Sequence, residues 1–305
     1  MTAPERPARL ILNGKKAGRP DVRDAVEAVR REGHPLEVRV TWEHGDAARL
    51  VAEAVREGVP RVIAGGGDGS VNEVAAGLMA VAESARPRMG ILPLGTANDF
   101  ATACRVPSDP LGALRLAVAG ATTAIDLVRA NDAWFVNVAS AGFGAAITAD
   151  TPVELKNFLG GGAYTIMGLL EALDFRPYRC TIRTPQDSFE GSFVVGAVCN
   201  GRQAGGGQRL APGALLDDGL LDVVFLRPFP VTAAPQVAAE IAGLDPGAQY
   251  VVRMRLPWIE TDAPEAFPVN LDGEPIRAMR LRFAIVPRCL QLALPADCPC
   301  LGRAV

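Results

Sequence analysis

Histidine is almost missing from this 305-residue chain, which has only His34 and His44. That scarcity argues against a histidine-ligated zinc site. The six cysteines, Cys104, Cys180, Cys199, Cys289, Cys298 and Cys300, are scattered through apolar context. Cys298 and Cys300 in "DCPC" have no second pair or histidine nearby in sequence. All six are therefore expected to be free thiols without a metal, in a reducing cytoplasm. No run of about 18 uncharged apolar residues occurs, which excludes a membrane-spanning helix. The opening "MTAPERPARL" lacks the apolar segment of a secretory leader. Neither charge sign dominates: 31 Lys and Arg face 34 Asp and Glu, for a net charge of −3. That balance argues against nucleic acid as a partner.

What remains is an ordinary globular composition, 49% hydrophobic and 21% charged. The length fits two domains of roughly 100–200 residues each. Up to about residue 125 the pattern alternates. "RLILN" (9–13), "LEVRVTW" (36–42), "RVIAG" (61–65) and "MGILPL" (89–94) read as strands. Between them, 20–33 is a helix closed by Gly33, and 45–58 is one capped by Asp46 and closed by Gly58. A third helix runs from the glycine-rich segment to about Ala82. Strands separated by helices of this length imply a parallel sheet covered on both faces.

After about Ala124 the period changes to two. Strands are expected at 134–145, 179–184, 191–200, 220–227, 251–262 and 280–286, with helices only near 163–175 and 231–243. The fold class is therefore α/β. A Rossmann-like parallel-sheet domain (1–125) is followed by a mainly antiparallel β-sandwich (126–285), and residues 286–305 could return to the first domain.

The segment "VIAGGGDGSVNEVAAGL" (62–78) puts four glycines where a strand ends and a helix begins. Open α/β sheets bind ligands there, and helix N–H groups point outward at that position to meet an anion. The glycines allow close approach to the backbone and are expected to supply positive φ angles. Ser70 and Glu73 fit a capping box, with Ser70 as N-cap. A tight, well-capped turn would explain the motif without any ligand. The third glycine of the dinucleotide fingerprint is absent, and no Walker-type loop occurs anywhere in the chain. "ILPLGTANDFA" (91–101) repeats the arrangement at the next strand end, so two phosphate-friendly loops would face one crevice.

GGGDGSVNE together with LPLGTANDFA resembles the diacylglycerol kinase and sphingosine kinase superfamily, and the bacterial YegS-type lipid kinases in particular. The likeness continues through "VTWEHGDAARL", "NGRQAGGGQRLAP", "LLDDGLLDV" and "NLDGEP", and so covers nearly the whole chain. One departure is Ser70 where threonine is commoner; the hydroxyl is kept. The resemblance implies an ATP-dependent kinase acting on a lipid hydroxyl of diacylglycerol or phosphatidylglycerol type. Carried over by position, Thr41, Gly67, Asp68, Gly69, Ser70, Val71, Asn72, Glu73 and Thr96 would contact ATP. The carbonyls of Leu215 and Leu220 and the side chain of Asp218 would hold Mg2+, with Ca2+ able to substitute. Hard oxygen ligands suit either ion, although Asp-Gly at a β-hairpin turn would explain the same residues. Glu274 is the implied general base, with Asp68 as its rival; turn chemistry in Asp-Gly-Glu-Pro is the plainer explanation of Glu274. The segment Gly205–Gly207 would face the cleft. Tyr164, Met167, Leu170 and Leu173, after Gly160–Gly162, make an aliphatic stripe better read as core.

Without an anchor, such a kinase would be cytoplasmic and would visit the inner membrane surface transiently. Two other functions fit less of the pattern: a kinase of a soluble acceptor such as NAD, and a catalytically silent nucleotide-binding regulator.

Overall fold

The structure, a computed structural model, describes residues 6–142, 177–243 and 248–302. The first core is built around β1 (Ala8–Asn13), β2 (Leu36–Thr41), β3 (Arg61–Gly66) and β4 (Arg88–Pro93), all parallel, in spatial order β4-β3-β1-β2. β3 and β4 are almost wholly buried along their lengths, as expected of strands covered on both faces. Helices α1 (Pro20–Arg31) and α5 (Pro110–Ala119) pack together, and α2 (Asp46–Arg56) packs with α3 (Asp68–Met79). The short α4 (Asp99–Ala103) lies between β4 and α5. Pro20, whose ring presets a helical φ, starts α1, which buries Val22, Ala25, Val26 and Val29. Gly33 follows at φ +92°.

The second core is antiparallel. It comprises β6 (Ala133–Phe135), β7 (Val138–Gly142), β8 (Tyr178–Arg183), β9 (Ser188–Phe193), β10 (Val195–Cys199), β13 (Leu221–Leu226), β14 (Val251–Leu256) and most of β15 (Trp258–Leu271). A small ribbon, β11 (Gln203–Ala204) with β12 (Gln208–Arg209), stands apart. A 3-10 turn at Val231–Ala233 leads into α6 (Ala234–Ile241), matching the helix expected at 231–243. The helix expected at 163–175 and Gly160–Gly162 lie outside the described residues.

Two strands join the cores. β5 (Thr122–Ala130) pairs antiparallel with the 20-residue β16 (Glu274–Ala293) along almost its whole length. Ile125 and Leu127 belong to the first core, whereas Val128 and Ala130 belong to the second. Likewise Leu281 and Phe283 of β16 sit in the sandwich core, while Leu290 and Leu292 belong to the first core, where β16 extends the parallel sheet and Leu292 pairs with Met89 of β4. The change of core thus falls within β5, a little beyond the expected boundary at 125.

Several local expectations are corrected. α3 begins at Asp68 with Gly67 as N-cap and no side-chain cap, so Ser70 stands inside the first turn and no capping box forms. The same helix ends at Met79 rather than near Ala82. Asp46 is the first residue of α2, and its carboxylate accepts the N–H groups of Trp42 and Glu43 in the preceding turn. The runs expected at 134–145 and 191–200 are each split in two. The Asp-Asp-Gly segment is not a hairpin, because no strand precedes β13 there.

Candidate active site

Three of the four glycines of 65–69 each answer to a different neighbour. A Cβ on Gly65 would meet Leu10 Cδ1 at 2.9 Å, and one on Gly66 would meet Ser70 Oγ at 2.2 Å. One on Gly95, at the tip of β4, would lie 2.6 Å from the Gly67 Cα. The two loops therefore touch backbone to backbone, which only glycine permits at this distance. Around Gly69 there is open space: an added Cβ would find nothing within 4 Å. None of these four has a positive φ, contrary to expectation. The left-handed residue is instead Asn98 (φ +51°), whose Oδ1 accepts the Gly95 N–H at 2.7 Å and whose Nδ2 donates to the Gly95 carbonyl at 2.9 Å.

At the start of α3 the first N–H to bond within the helix is that of Val71, to the Gly67 carbonyl at 3.1 Å. The preceding N–H groups of Asp68, Gly69 and Ser70 are then the outward-pointing set that a helix start leaves for an anion. Val71 itself has a buried side chain and a committed N–H, so it offers packing rather than a ligand contact. Asn72 is buried with Oδ1 unpartnered. Ser70 Oγ accepts from Asn13 Nδ2 at 3.3 Å, linking the end of β1 to the first turn of α3. Thr96 is exposed, and Thr41 closes β2 half-buried beside the exposed Trp42.

Carboxylates crowd beneath these loops. Asp68 accepts the N–H groups of Asp99 (3.0 Å) and Phe100 (3.1 Å). Burial raises its carboxyl above the usual range; these bonds pull it down, and Asp99 pushes it up again. Asp99 is buried and holds the N–H groups of Gly206 (2.8 Å) and Gly207 (2.6 Å). Asp272, in the turn joining β15 and β16, accepts from Val136, Asn137 and Val138 at 2.7–2.9 Å. Burial raises its carboxyl to about 6 despite those bonds, and Asp68 adds to the rise. Glu274 opens β16 in an exposed position. Burial and then the charge of Glu274 raise the carboxyl of Glu73, while His44 works in the opposite direction. The charge of Glu274 is thus felt at Glu73, in the second turn of the glycine-loop helix.

The segment 215–220 forms a second acidic cluster. The buried Asp126 accepts from Arg288 N–H and Gly219 N–H, both at 2.7 Å. Asp218 accepts from Leu220 N–H at 3.0 Å and pairs with Arg255, which also reaches Asp222 at 3.4 Å. Burial and then the charges of Asp218 and Asp217 raise Asp126. Asp222 is raised first by burial, with Asp218 also pushing it up. One oxygen of Asp222 is buried without any hydrogen-bond partner. An oxygen-rich cluster with surplus negative charge and an orphaned carboxylate oxygen suits a hard divalent cation.

Comparison with known proteins bears on this geometry. Residues 7–130 match the family described as "Diacylglycerol kinase catalytic domain". Residues 137–294 match "YegS C-terminal NAD kinase beta sandwich-like domain". The chain is 49% identical over 297 residues to "Probable lipid kinase YegS-like" of Shewanella frigidimarina (strain NCIMB 400), covering 97% of this chain and 96% of the relative. To the protein of the same name from Serratia proteamaculans (strain 568) it is 49% identical over 303 residues, covering 98% of each. The chain belongs to the YegS-like lipid kinase family.

A crystal structure of a diacylglycerol kinase from Bacillus anthracis str. Sterne superposes with a TM-score of 0.74 at 21% identity, covering 97% of this chain and 99% of that one. At that identity the likeness is one of fold. In this YegS-family chain, Asp99, Asp272, His44 and Asn13 interact with the glycine-loop segment by hydrogen bond or charge although the sequence motifs assigned them no role. Asp99 had a visible signal, since it follows Asn98 in the repeated glycine loop. Asp272 sits in "NLDGEP" but was overshadowed by Glu274. Nothing local marks Asn13, which strand order brings to Ser70, or His44, whose charge reaches Glu73 from the loop after β2.

Proposed function

We propose that this protein is an ATP-dependent lipid kinase that transfers the γ-phosphoryl group of ATP to a lipid hydroxyl. The observation that carries the reading is the backbone contact of Gly67 with Gly95 beside open space at Gly69, directly above Asp68 and Asp99. The N–H groups of Asp68, Gly69 and Ser70, with the positive end of α3, would hold phosphate oxygens. Ser70, Thr96 and Thr41 would add hydroxyl or backbone contacts, and Asn72 and Glu73 would fix the loop. Phosphoryl transfer depends mainly on alignment and charge neutralisation. Glu274 would orient the acceptor hydroxyl and take its proton late in transfer. Leu215, Asp218 and Leu220 would hold Mg2+, or Ca2+ in its place. A bound cation would offset the repulsion among Asp126, Asp218 and Asp222 and brace the turn.

On this reading the parallel-sheet core, with the returning residues after 286, carries the nucleotide, and the sandwich presents the acceptor. The lipid surface would be visited transiently; among the described residues no helix is long and apolar enough to cross a membrane. The test uses labelled ATP, Mg2+ and total bacterial lipid extract, with NAD as a parallel acceptor. Labelled lipid is the expected product. Glu274→Ala should lower turnover by about 10²–10⁴-fold with ATP affinity nearly constant. Unchanged turnover would remove Glu274 and turn attention to Asp68. Nucleotide binding without labelled lipid would refute the lipid kinase itself.

A further inference from the structure

Cys104 follows α4, whereas Cys298 and Cys300 lie in the tail after β16. Folding brings the three together. Their Sγ atoms all lie within 4.8 Å of one another, and all three residues are buried, free thiols. All six cysteines are free, as expected, and the partner that "DCPC" lacked in sequence is supplied in space from the segment after "NDFATA".

We propose that Cys104, Cys298 and Cys300 form a tris-thiolate site for a thiophilic divalent cation, Zn2+ or Cd2+. Three sulfurs around one such ion stand about 4 Å apart when each metal–sulfur bond is about 2.3 Å. That spacing falls within the 4.8 Å that encloses the observed cluster. Its ligands are soft and enclosed, which selects against Mg2+ and Ca2+ and sets it apart from the oxygen cluster at 215–220. Charge favours a divalent ion over a monovalent one. Three thiolates and one divalent ion leave one negative charge, and Arg202 is at hand to balance it. The Arg202 guanidinium donates to the carbonyl of Pro299, between two of the ligands, and to that of Ala214 at 2.8 Å. It makes no ion pair among the described residues.

The location gives the ion a structural role. α4 begins at Asp99, which holds Gly206 and Gly207. The Cys300 carbonyl accepts from Leu216 N–H at 2.8 Å, and Gly302 N–H donates to Asp217 at 2.8 Å. A metal here would lock together the carboxyl end of α4, the tail and the Asp-Asp-Gly loop. Binding replaces each remaining S–H by a metal–sulfur bond and releases its proton to solvent.

The full chain, reduced, stripped with chelator and freed of small thiols, is titrated with Cd2+ under argon. One equivalent should bind with a thiolate-to-cadmium charge-transfer band, proton release and a higher Tm. Cadmium NMR of the unaltered protein should give a shift typical of three sulfur ligands, a readout that needs no variant. Cys104→Ser and Cys300→Ser should each lose the band, while Cys289→Ser keeps it. The proposal is overturned if no band appears, if it survives in Cys104→Ser, or if non-reducing mass spectrometry of freshly purified protein finds two of the three joined as a disulfide.

Discussion

Gly69 allows folding and ligand binding to be separated at a single residue. It lies in the first turn of α3, has no positive φ, and would give an added methyl group free room. Gly69→Ala should therefore stabilise the protein slightly, by about 0.5–1 kcal/mol, through reduced backbone entropy of the unfolded chain. If phosphate occupies that space, the same methyl weakens ATP binding, and calorimetric titration beside a urea melt reads both effects. A stability gain with undiminished ATP affinity would show that the triphosphate lies elsewhere. Gly95→Ala acts differently, because its Cβ would collide with the Gly67 Cα and with Asn98 Oδ1 at 2.8 Å. The two tips would have to separate, so ATP affinity and stability should fall together. Asp99 is the residue whose loss should spread furthest. Asp99→Ala leaves the N–H groups of Gly206 and Gly207 without their acceptor, at a cost of about 1–3 kcal/mol by urea unfolding.

At the scale of elements, the turn between β15 and β16 couples the cleft to pH. Asp272 (φ +48°) and Gly273 (φ +104°) make the tight left-handed turn that Asp-Gly favours. The Asp272 carboxyl, raised from 3.8 to about 6, holds its proton more tightly in the folded state than in the unfolded chain. Its contribution to stability is thus complete below about pH 4 and disappears as pH rises through 6, amounting to at most about 3 kcal/mol. Asp46 has the opposite sign. N–H groups of Trp42 and Glu43 and the Arg49 side chain lower it to about 2, so its contribution is lost as pH falls from 3.8 towards 2. Urea midpoints at pH 4.5 and pH 7 should show wild type less stable at the higher value, and Asp272→Asn should lose part of that difference. Equal slopes in the two proteins would contradict the assignment. The same turn marks the limit of what sequence reveals. The parallel strands, α1 and the period-two stretches were legible because their signal is local. The break at 136–137 was not, since it follows from a carboxylate more than a hundred residues away binding three successive N–H groups. The capping box failed for a related reason: close contact between Gly67 and Gly95 fixes where α3 starts, whatever Ser70 and Glu73 would favour locally. Both glycine loops were recognisable, but the acids that gather beneath them depend on strand order, as does the meeting of Cys104 with the tail.

Across the whole molecule, the two cores are joined by β5 and β16 rather than by a linker. Each strand contributes buried side chains to both, so neither core is complete as a continuous stretch of chain. Leu290, Leu292 and Leu294, on and just after β16, are buried in the first core, each stabilising it by roughly 1.5–3 kcal/mol through apolar burial. A fragment of residues 1–125 would lack all three and would leave β4 without its neighbour β16. We expect that fragment to aggregate or to lack a cooperative transition, while the full chain unfolds in one step by far-UV dichroism and, with Trp42 and Trp134 replaced by Phe, by the fluorescence of Trp258 in the sandwich. Leu292→Ala, made in the first core, should cost about 2–5 kcal/mol and shift both signals equally. Two separated transitions, or a Trp258 signal unmoved by Leu292→Ala, would mean that the cores fold independently and that the long strands transmit nothing between them. Coupling of this kind would hold the acceptor side of the cleft in fixed register with the glycine loops, since Glu274 and Leu292 are parts of one strand.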